Sequence, residues 1–209
     1  MTNLIIKNKV KVYVSIILIV FQSCKNEEKV IEEKIAKCVN ESTNFLEYNK
    51  SGQGDFYTMI EEIEDVFISS NKLKNLSKIE YREMIVELLS NGKKDDKSFY
   101  DDIYKVYDKY GYTPSVNNYK VFNDCPFSIL VTEKHEMKSS LFFQSQSLSG
   151  LQADGFRDVG LIKELISLTS EEDFEKIVFR ASIVLVCVSS LDNIYGESHP
   201  VQEDFDFSR

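Results

Sequence analysis

The chain has 209 residues, with 25 Lys and Arg against 34 Asp and Glu, so its formal net charge is −9 at pH 7. A chain of this length can bury one sizeable core, and its negative charge argues against nucleic-acid binding, which requires lysines and arginines to neutralise phosphates. It contains only three prolines and eight glycines, a composition that suits a helical bundle better than a β-sandwich.

The N-terminus combines a basic region with a short apolar run. Lys7, Lys9 and Lys11 precede the apolar residues 12–21. This run is too short to span a hydrocarbon core, which takes ~20 apolar residues, but it matches the ~7–15-residue apolar region of a secretory signal. The pattern predicts export. The alternative is a short N-terminal membrane anchor.

A cysteine follows the apolar run directly, in Phe21-Gln22-Ser23-Cys24. This segment resembles the lipobox of bacterial lipoproteins, although Phe21 and Gln22 stand where that family usually has leucine and a small residue. The resemblance implies a diacylglycerol thioether on Cys24, labelled by palmitate, and cleavage between Ser23 and Cys24. Residues 1–23 would then be the signal peptide. Removing their three lysines would change the net charge from −9 to −12.

The four residues after the cysteine are Lys25-Asn26-Glu27-Glu28. They resemble the acidic signal that sends lipoproteins of the Bacteroidota to the outer face of the outer membrane. The resemblance implies a lipid-anchored, surface-exposed domain, with the periplasmic face as the alternative. A simpler interpretation is that the glutamates open a helix, where acids complement the N-terminal dipole.

Apolar residues at helical spacing predict an all-α protein, a compact and irregular bundle of about six helices. Residues 24–50 are expected to form the lipidated tether and a first helix, residues 51–198 the helical domain, and residues 199–209 an acidic flexible tail.

Individual helices are predicted from stripes, caps and breakers. One begins near Asp55, one follows a capping box at Ser77–Glu80, and others cover 97–110, 134–152 and 158–168. Two glycines predict a loop over 149–157.

Two further regions leave alternatives open. A capping box at Thr169–Glu172 predicts one long central helix, but the β-branched residues at 183–188 would also suit a strand. Apolar residues flank Asp124-Cys125-Pro126, so short strands over 119–131 and an irregular helix both fit.

Four cysteines are present. If Cys24 is acylated, three cysteines remain that could pair. Of these, Cys187 lies in an apolar run and is expected to be an inert buried thiol. Cys38 and Cys125 remain as the one pair that could form a disulfide, and the expectation is that they do not. No CxxC spacing supports a zinc or redox site.

No motif predicts catalytic residues, a metal site or a cofactor, because HExxH, GxSxG and Gly-rich phosphate loops are absent from the sequence. His135, with Glu133, Glu136 and Cys125, would be the only metal-ligating group, and an exposed histidine on a charged helix is the simpler interpretation. His199 is expected in a loop. Adjacent acids such as Glu61 and Glu62 point in different directions on a helix, which does not suit a glycosidase pair.

Five tyrosines, namely Tyr100, Tyr104, Tyr107, Tyr110 and Tyr112, are the candidate protein interface. Tyrosines supply large contact areas at low entropic cost. The alternative is that half of them line the core with their hydroxyls at its rim.

The expected function is therefore that of a lipid-anchored envelope protein, most simply a non-enzymatic module that binds a protein partner or neutralises a toxin. The acidic charge would suit a basic partner or serve solubility alone. The alternative is an enzyme or accessory subunit acting on envelope or extracellular polymers, and a purely structural role is a third. The structure of residues 112–133 would distinguish the first two functions. If the segment covers a pocket containing His135, the enzyme is favoured, and if it packs as ordinary core, the interaction module is favoured.

Overall fold

The computed structural model describes residues 29–42, 55–91, 97–110, 116–134, 140–153 and 158–195. The helix α1 covers 29–42. It is followed by α2 (Phe56–Ser69), α3 (Lys78–Asn91), α4 (Lys97–Tyr110), α5 (Val116–Thr132), α6 (Ser140–Ala153), α7 (Val159–Leu168), α8 (Glu171–Phe174) and α9 (Ile177–Tyr195). The predicted all-α class is confirmed. Several predicted features lie outside the described residues: the proposed signal peptide with its cleavage site at Ser23 and Cys24, Tyr112, both histidines and residues 199–209.

Three helices begin at side-chain caps close to their predicted starts, and the cap at Ser77 was itself predicted. The Asp55 carboxylate accepts the N–H of Tyr57 at 2.9 Å, and the Asp158 carboxylate accepts the N–H of Gly160 at 2.7 Å. Ser77 Oγ accepts the N–H of Glu80 at 3.4 Å. Each side chain satisfies an amide that has no partner inside the helix.

The second capping box is shifted by one residue from its predicted position. Ser170, rather than Thr169, is the N-cap, and its hydroxyl accepts the N–H of Asp173. It caps only the short α8, because residues 175–176 form a turn that interrupts the helix before α9 begins. The single long helix predicted here is thus two helices. Residues 183–188 are helical, so the alternative of a strand is wrong.

Helix α9 occupies the centre of the domain. Residues 178–188 are all buried, and the helix contacts every one of α2 to α8. A helix that is apolar on all sides is stable only when other elements cover it. None of the described helices combines the length and apolarity needed to cross a membrane.

Helix α1 belongs to the same core as the later helices. Ile31, Ile35 and Val39 are buried within one continuous apolar cluster. The Asn40 side chain accepts the N–H of Phe56 at 2.9 Å, so the end of α1 also satisfies an amide at the start of α2. The described part of 24–50 is therefore integrated into the helical domain.

The short strands proposed for 119–131 are wrong, because α5 covers Val116–Thr132 and contains Pro126. Proline removes an N–H from the helical ladder and is costly in a helix interior. Cys125 and Leu130 are nevertheless buried, and this tertiary contact keeps the segment helical against its local preference.

The predicted loop at 149–157 is also partly wrong, because α6 continues through Gly150 to Ala153. A glycine inside a helix costs ~1 kcal/mol relative to alanine. Leu148 and Leu151 are buried on either side of Gly150, and their packing offsets that cost.

Cys38 of α1 and Cys125 of α5 form a disulfide, with their Cα atoms 5.9 Å apart. The expectation that they do not pair is wrong. The two cysteines are 87 residues apart, and only the packing of α5 beside α1 brings them together. Cys187 is a free, buried thiol, as predicted.

Candidate functional site

Three polar side chains meet inside the apolar core, and we call them the polar centre: Glu64 of α2, Tyr81 of α3 and Arg180 of α9. Arg180 forms a bidentate salt bridge with Glu64, in which Nε donates to Oε1 at 2.9 Å and Nη2 donates to Oε2 at 3.1 Å. The Tyr81 hydroxyl donates to Glu64 Oε1 at 2.6 Å. Their exposed fractions are 2%, 0% and 7% for Glu64, Tyr81 and Arg180.

The remaining donors of Arg180 bind the backbone. Nη1 donates to the carbonyl oxygens of Phe174 at 2.9 Å and Glu175 at 2.6 Å, which lie at the end of α8. Arg180 therefore satisfies carbonyls that α8 leaves open at its C-terminus. The guanidinium connects α2, α8 and α9, and Tyr81 adds α3 to this group.

Electrostatics hold the centre in one protonation state. Burial raises the pKa of Tyr81 well above its ordinary value, and the charge and hydrogen bond of Glu64 raise it further. Burial lowers the pKa of Arg180, but its hydrogen bond with Glu64 and that residue's charge outweigh burial, so the net pKa is raised. A neutral tyrosine and a cationic arginine with satisfied donors are not poised for proton transfer. The arrangement joins helices.

The sequence analysis missed the polar centre, although it contained a signal for it. Arg180 is the only charged residue in the apolar run 177–191. Glu64 falls one helical turn after Ile60, within the apolar stripe of α2. Two opposite charges on buried faces of different helices predict an ion pair, because a buried charge needs a partner.

An open groove of about 440 Å³ lies beside the polar centre. Its lining residues are Asn75, Leu76, Ser77, Lys78, Glu171, Phe174, Glu175 and Arg180. Lys78 Nζ donates to the carbonyl oxygens of Thr169 at 2.6 Å and Ser167 at 3.4 Å. A cation is favourable at the C-terminal end of a helix, so Lys78 stabilises the end of α7. Both cations of the groove thus bind within the fold.

A second buried network joins α6, α7 and α9. Gln144 donates from Nε2 to Thr169 Oγ1, and Ser182 Oγ donates to Gln144 Oε1 at 3.0 Å. All three residues are buried. Satisfied buried polar groups of this kind specify how helices pack.

The candidate tyrosines divide between core and surface. Tyr100 and Tyr107 are 0% and 1% exposed, whereas Tyr104 and Tyr110 pack only partly against the core. Tyr112 lies outside the described residues. This division agrees with the alternative that half of the tyrosines line the core.

The tyrosine hydroxyls are tied to acidic side chains. The Tyr100 hydroxyl donates to Asp192, and the Tyr110 hydroxyl donates to Glu62 at 2.6 Å. Burial and the hydrogen bond to Glu62 raise the pKa of Tyr110 to about 12. Lys109 bonds both oxygens of Glu62, at 2.6 and 2.7 Å. Tyrosine hydroxyls of α4 therefore contact carboxylates of α2 and α9.

In the part of the chain that the structure describes, no three His, Cys, Asp or Glu residues are grouped to hold a metal. The predicted metal alternative rested on His135 and Glu136, which lie outside that part, and on Cys125, which is in the disulfide. Burial raises the pKa of the Cys187 thiol, so Cys187 stays protonated and unreactive.

No protein-family model, no curated protein and no solved structure matches this chain. Its function is therefore inferred from its own residues.

Proposed function

We propose that this chain is a lipoprotein of the bacterial envelope, anchored through Cys24, whose helical domain binds a protein partner without catalysing a reaction. The observation that carries the proposal is the covalent joining of α5 to α1 by Cys38 and Cys125. It bears on both the compartment and the role of the domain.

The disulfide supports export. Disulfides persist in oxidising compartments and are rare in the reducing cytoplasm. The basic and apolar N-terminus followed by Cys24 is an independent indication of export. Both features agree with a domain that works outside the cytoplasm.

The packing of α5 supports an interaction module over an enzyme. A pocket covered by residues 112–133 and containing His135 would favour the enzyme hypothesis, whereas packing of this segment in the core favours the interaction module. The described part of this segment is α5, and its Cys125 and Leu130 are buried in the common core. Two residues of the segment thus contribute to the core, as expected for an interaction module.

The exposed side of α4 is the candidate contact surface. Tyr104 and Tyr110 keep part of their rings exposed, and the exposed Asp108 lies between them in sequence. Burial raises the pKa of Tyr104, and the charges of Asp108 and Asp192 raise it further. Half-exposed tyrosines among carboxylates suit a partner with a basic surface, because Tyr anchors an interface and charge steers the encounter.

The anchor is tested by labelling cells with palmitate and comparing the wild type with Cys24→Ala. We expect the label in the wild type and its loss in the variant. Protease added to intact cells then decides the membrane face, since digestion indicates surface display and protection indicates the periplasmic face. An unlabelled wild type would overturn the anchor.

The contact surface is tested by placing a photo-crosslinking residue at Tyr104 in living cells. The matched control carries the same residue at Ile79 of α3, which is 66% exposed. We expect a discrete crosslinked protein from position 104 only. Equal products from both positions would contradict a specific surface on α4.

A further inference from the structure

Three large apolar side chains are exposed on neighbouring helices. Phe127 and Val131 of α5 are each 45% exposed, and Phe143 of α6 is 38% exposed. Phe127 and Val131 are four residues apart and so lie on the same side of α5. Helices α5 and α6 pack against each other. We call these three residues the apolar face.

The direction of α1 relative to α5 defines where this face lies. Cys38 is bonded to Cys125, and Lys34 Nζ lies 2.6 Å from Glu133 Oε1. The partner number rises as the α1 number falls, so the two helices run antiparallel. The start of α1 is therefore at the same end of the molecule as the end of α5, where Val131 lies.

Helix α6 also begins at this end. Thr132 closes α5 and Ser140 opens α6, so only seven residues connect them. Phe143 lies in the first turn of α6. The apolar face is thus near the end of the molecule from which the chain leads back to Cys24.

Chain length limits the distance between this end and Cys24. Only five residue steps separate Cys24 from the start of α1 at residue 29. A fully extended chain covers ~3.3–3.6 Å per residue, so the reach is at most ~18 Å. An acyl group on Cys24 would keep this end within that distance of the bilayer surface.

We propose that the apolar face rests on the lipid surface and orients the domain on the membrane that holds its anchor. This inference depends on the proposed acylation of Cys24. Phe and Val side chains have a lower free energy at the boundary between headgroups and acyl chains than in water. Lys134 is exposed three residues beyond Val131, and its ammonium can stay at headgroup level while its stem covers apolar surface.

The cysteines make a direct test possible. In the chain from Cys24 onwards, Cys38 and Cys125 are joined and Cys187 is buried. Cys24 is then the accessible thiol, so a maleimide lipid can be coupled to it on vesicles of phosphatidylethanolamine and phosphatidylglycerol. The protein has no tryptophan, and a single introduced tryptophan therefore reports its own surroundings.

The reporters are Phe127→Trp and Phe143→Trp, with Ile79→Trp as the matched control at an exposed apolar position on α3. Circular dichroism checks that each variant is folded. An interfacial side chain lies ~5–10 Å into the headgroup boundary, so brominated lipid should remove roughly half of the reporter emission. A blue shift accompanies this loss. The control should show neither change.

Three results would overturn the inference. Unquenched emission from both reporters would mean that the face points to water. Equal quenching of the control would mean non-specific adsorption. A blue shift that grows with protein concentration without vesicles would mean that a second copy covers the face. Because the lipid is attached chemically, none of these results depends on palmitate labelling in cells, and the two proposals fail separately.

Discussion

The polar centre and the contact between α1 and α5 each depend on an interaction between residues far apart in the chain, but the two interactions differ in kind. Glu64 and Arg180 are 116 residues apart and joined by charge, whereas Cys38 and Cys125 are 87 residues apart and joined covalently. The attraction within the ion pair has to offset the free-energy cost of removing two charges from water. The disulfide acts largely by restricting the unfolded chain.

This difference separates specificity from stability. Isolated buried charges are costly, so any packing that separates Glu64 from Arg180 is strongly disfavoured. The pair thereby selects the arrangement of α2 and α9 without adding much net stability. The disulfide adds stability in an oxidising compartment and loses it in a reducing one.

Loss of one partner from the polar centre should have the largest effect. We expect Arg180→Met to lower the free energy of unfolding by ~3–5 kcal/mol, because it leaves the Glu64 carboxylate buried without its cation. Urea unfolding near neutral pH measures this change. The double variant Glu64→Gln/Arg180→Met is the control, and its loss should be clearly smaller. Equal losses would show that packing, and not charge, supports the centre.

Reduction of the disulfide should come next. The chain-entropy model gives ~3 kcal/mol for a 15-residue loop and ~4.7 kcal/mol for a 100-residue loop, so with a sequence separation of 87 the protein should lose ~4.6 kcal/mol of stability on reduction. Urea unfolding with and without dithiothreitol measures the loss. The variant Cys38→Ala/Cys125→Ala should have the same free energy of unfolding as the reduced wild type, and the reductant should not change it. A wild type that ignores dithiothreitol would contradict the comparison.

Two tyrosines test what a buried hydrogen bond contributes to the centre. Tyr81→Phe should cost ~1.5–3 kcal/mol, because its hydroxyl donates to a charged acceptor. Tyr57 is the matched control: it is 7% exposed, and its buried hydroxyl has no hydrogen-bond partner among the described residues. Tyr57→Phe should be neutral or stabilising by up to ~1 kcal/mol. If both variants lost the same stability, the bond to Glu64 would not matter.

The smallest effect is expected at an exposed ion pair, which sharpens the contrast with the buried one. Hydrogen bonds from Lys109 and then Tyr110 lower the pKa of Glu62 below its ordinary value of 4.5. The stability that the Glu62 carboxylate contributes is therefore fully present above pH 4.5 and is lost as the pH falls through the lowered pKa. Glu62→Gln should cost less than ~1 kcal/mol near neutral pH and nothing in strong acid. A cost that persists in acid would point to packing instead.

Much of the fold was predictable where local signals agree. The range of α4, the starts of α2 and α7 and the capped start of α3 at Ser77 match the prediction. In each case an apolar stripe, together with a cap or a breaker, indicates the boundary. Consistent local signals of this kind indicate where a helix begins and ends, although its stability still depends on packing.

The candidate site was less predictable, and the tyrosines show why. Periodicity placed Tyr100, Tyr104, Tyr107 and Tyr110 on one side of α4, but tyrosine suits both core and surface. Only the positions of α2 and α9 decide that Tyr100 and Tyr107 are covered and that Tyr104 and Tyr110 keep exposed rings.

The sequence by itself determined the all-α class, the range of α4, the starts of α2, α3 and α7 and the buried character of Cys187, because these depend on the spacing of neighbouring residues. The tertiary structure decided that α5 is a helix despite Pro126, that Cys38 meets Cys125, and that Arg180 meets Glu64. These outcomes depend on which helices lie side by side. Contacts between residues about a hundred positions apart depend on how the helices pack, and the spacing of neighbouring residues does not specify that packing.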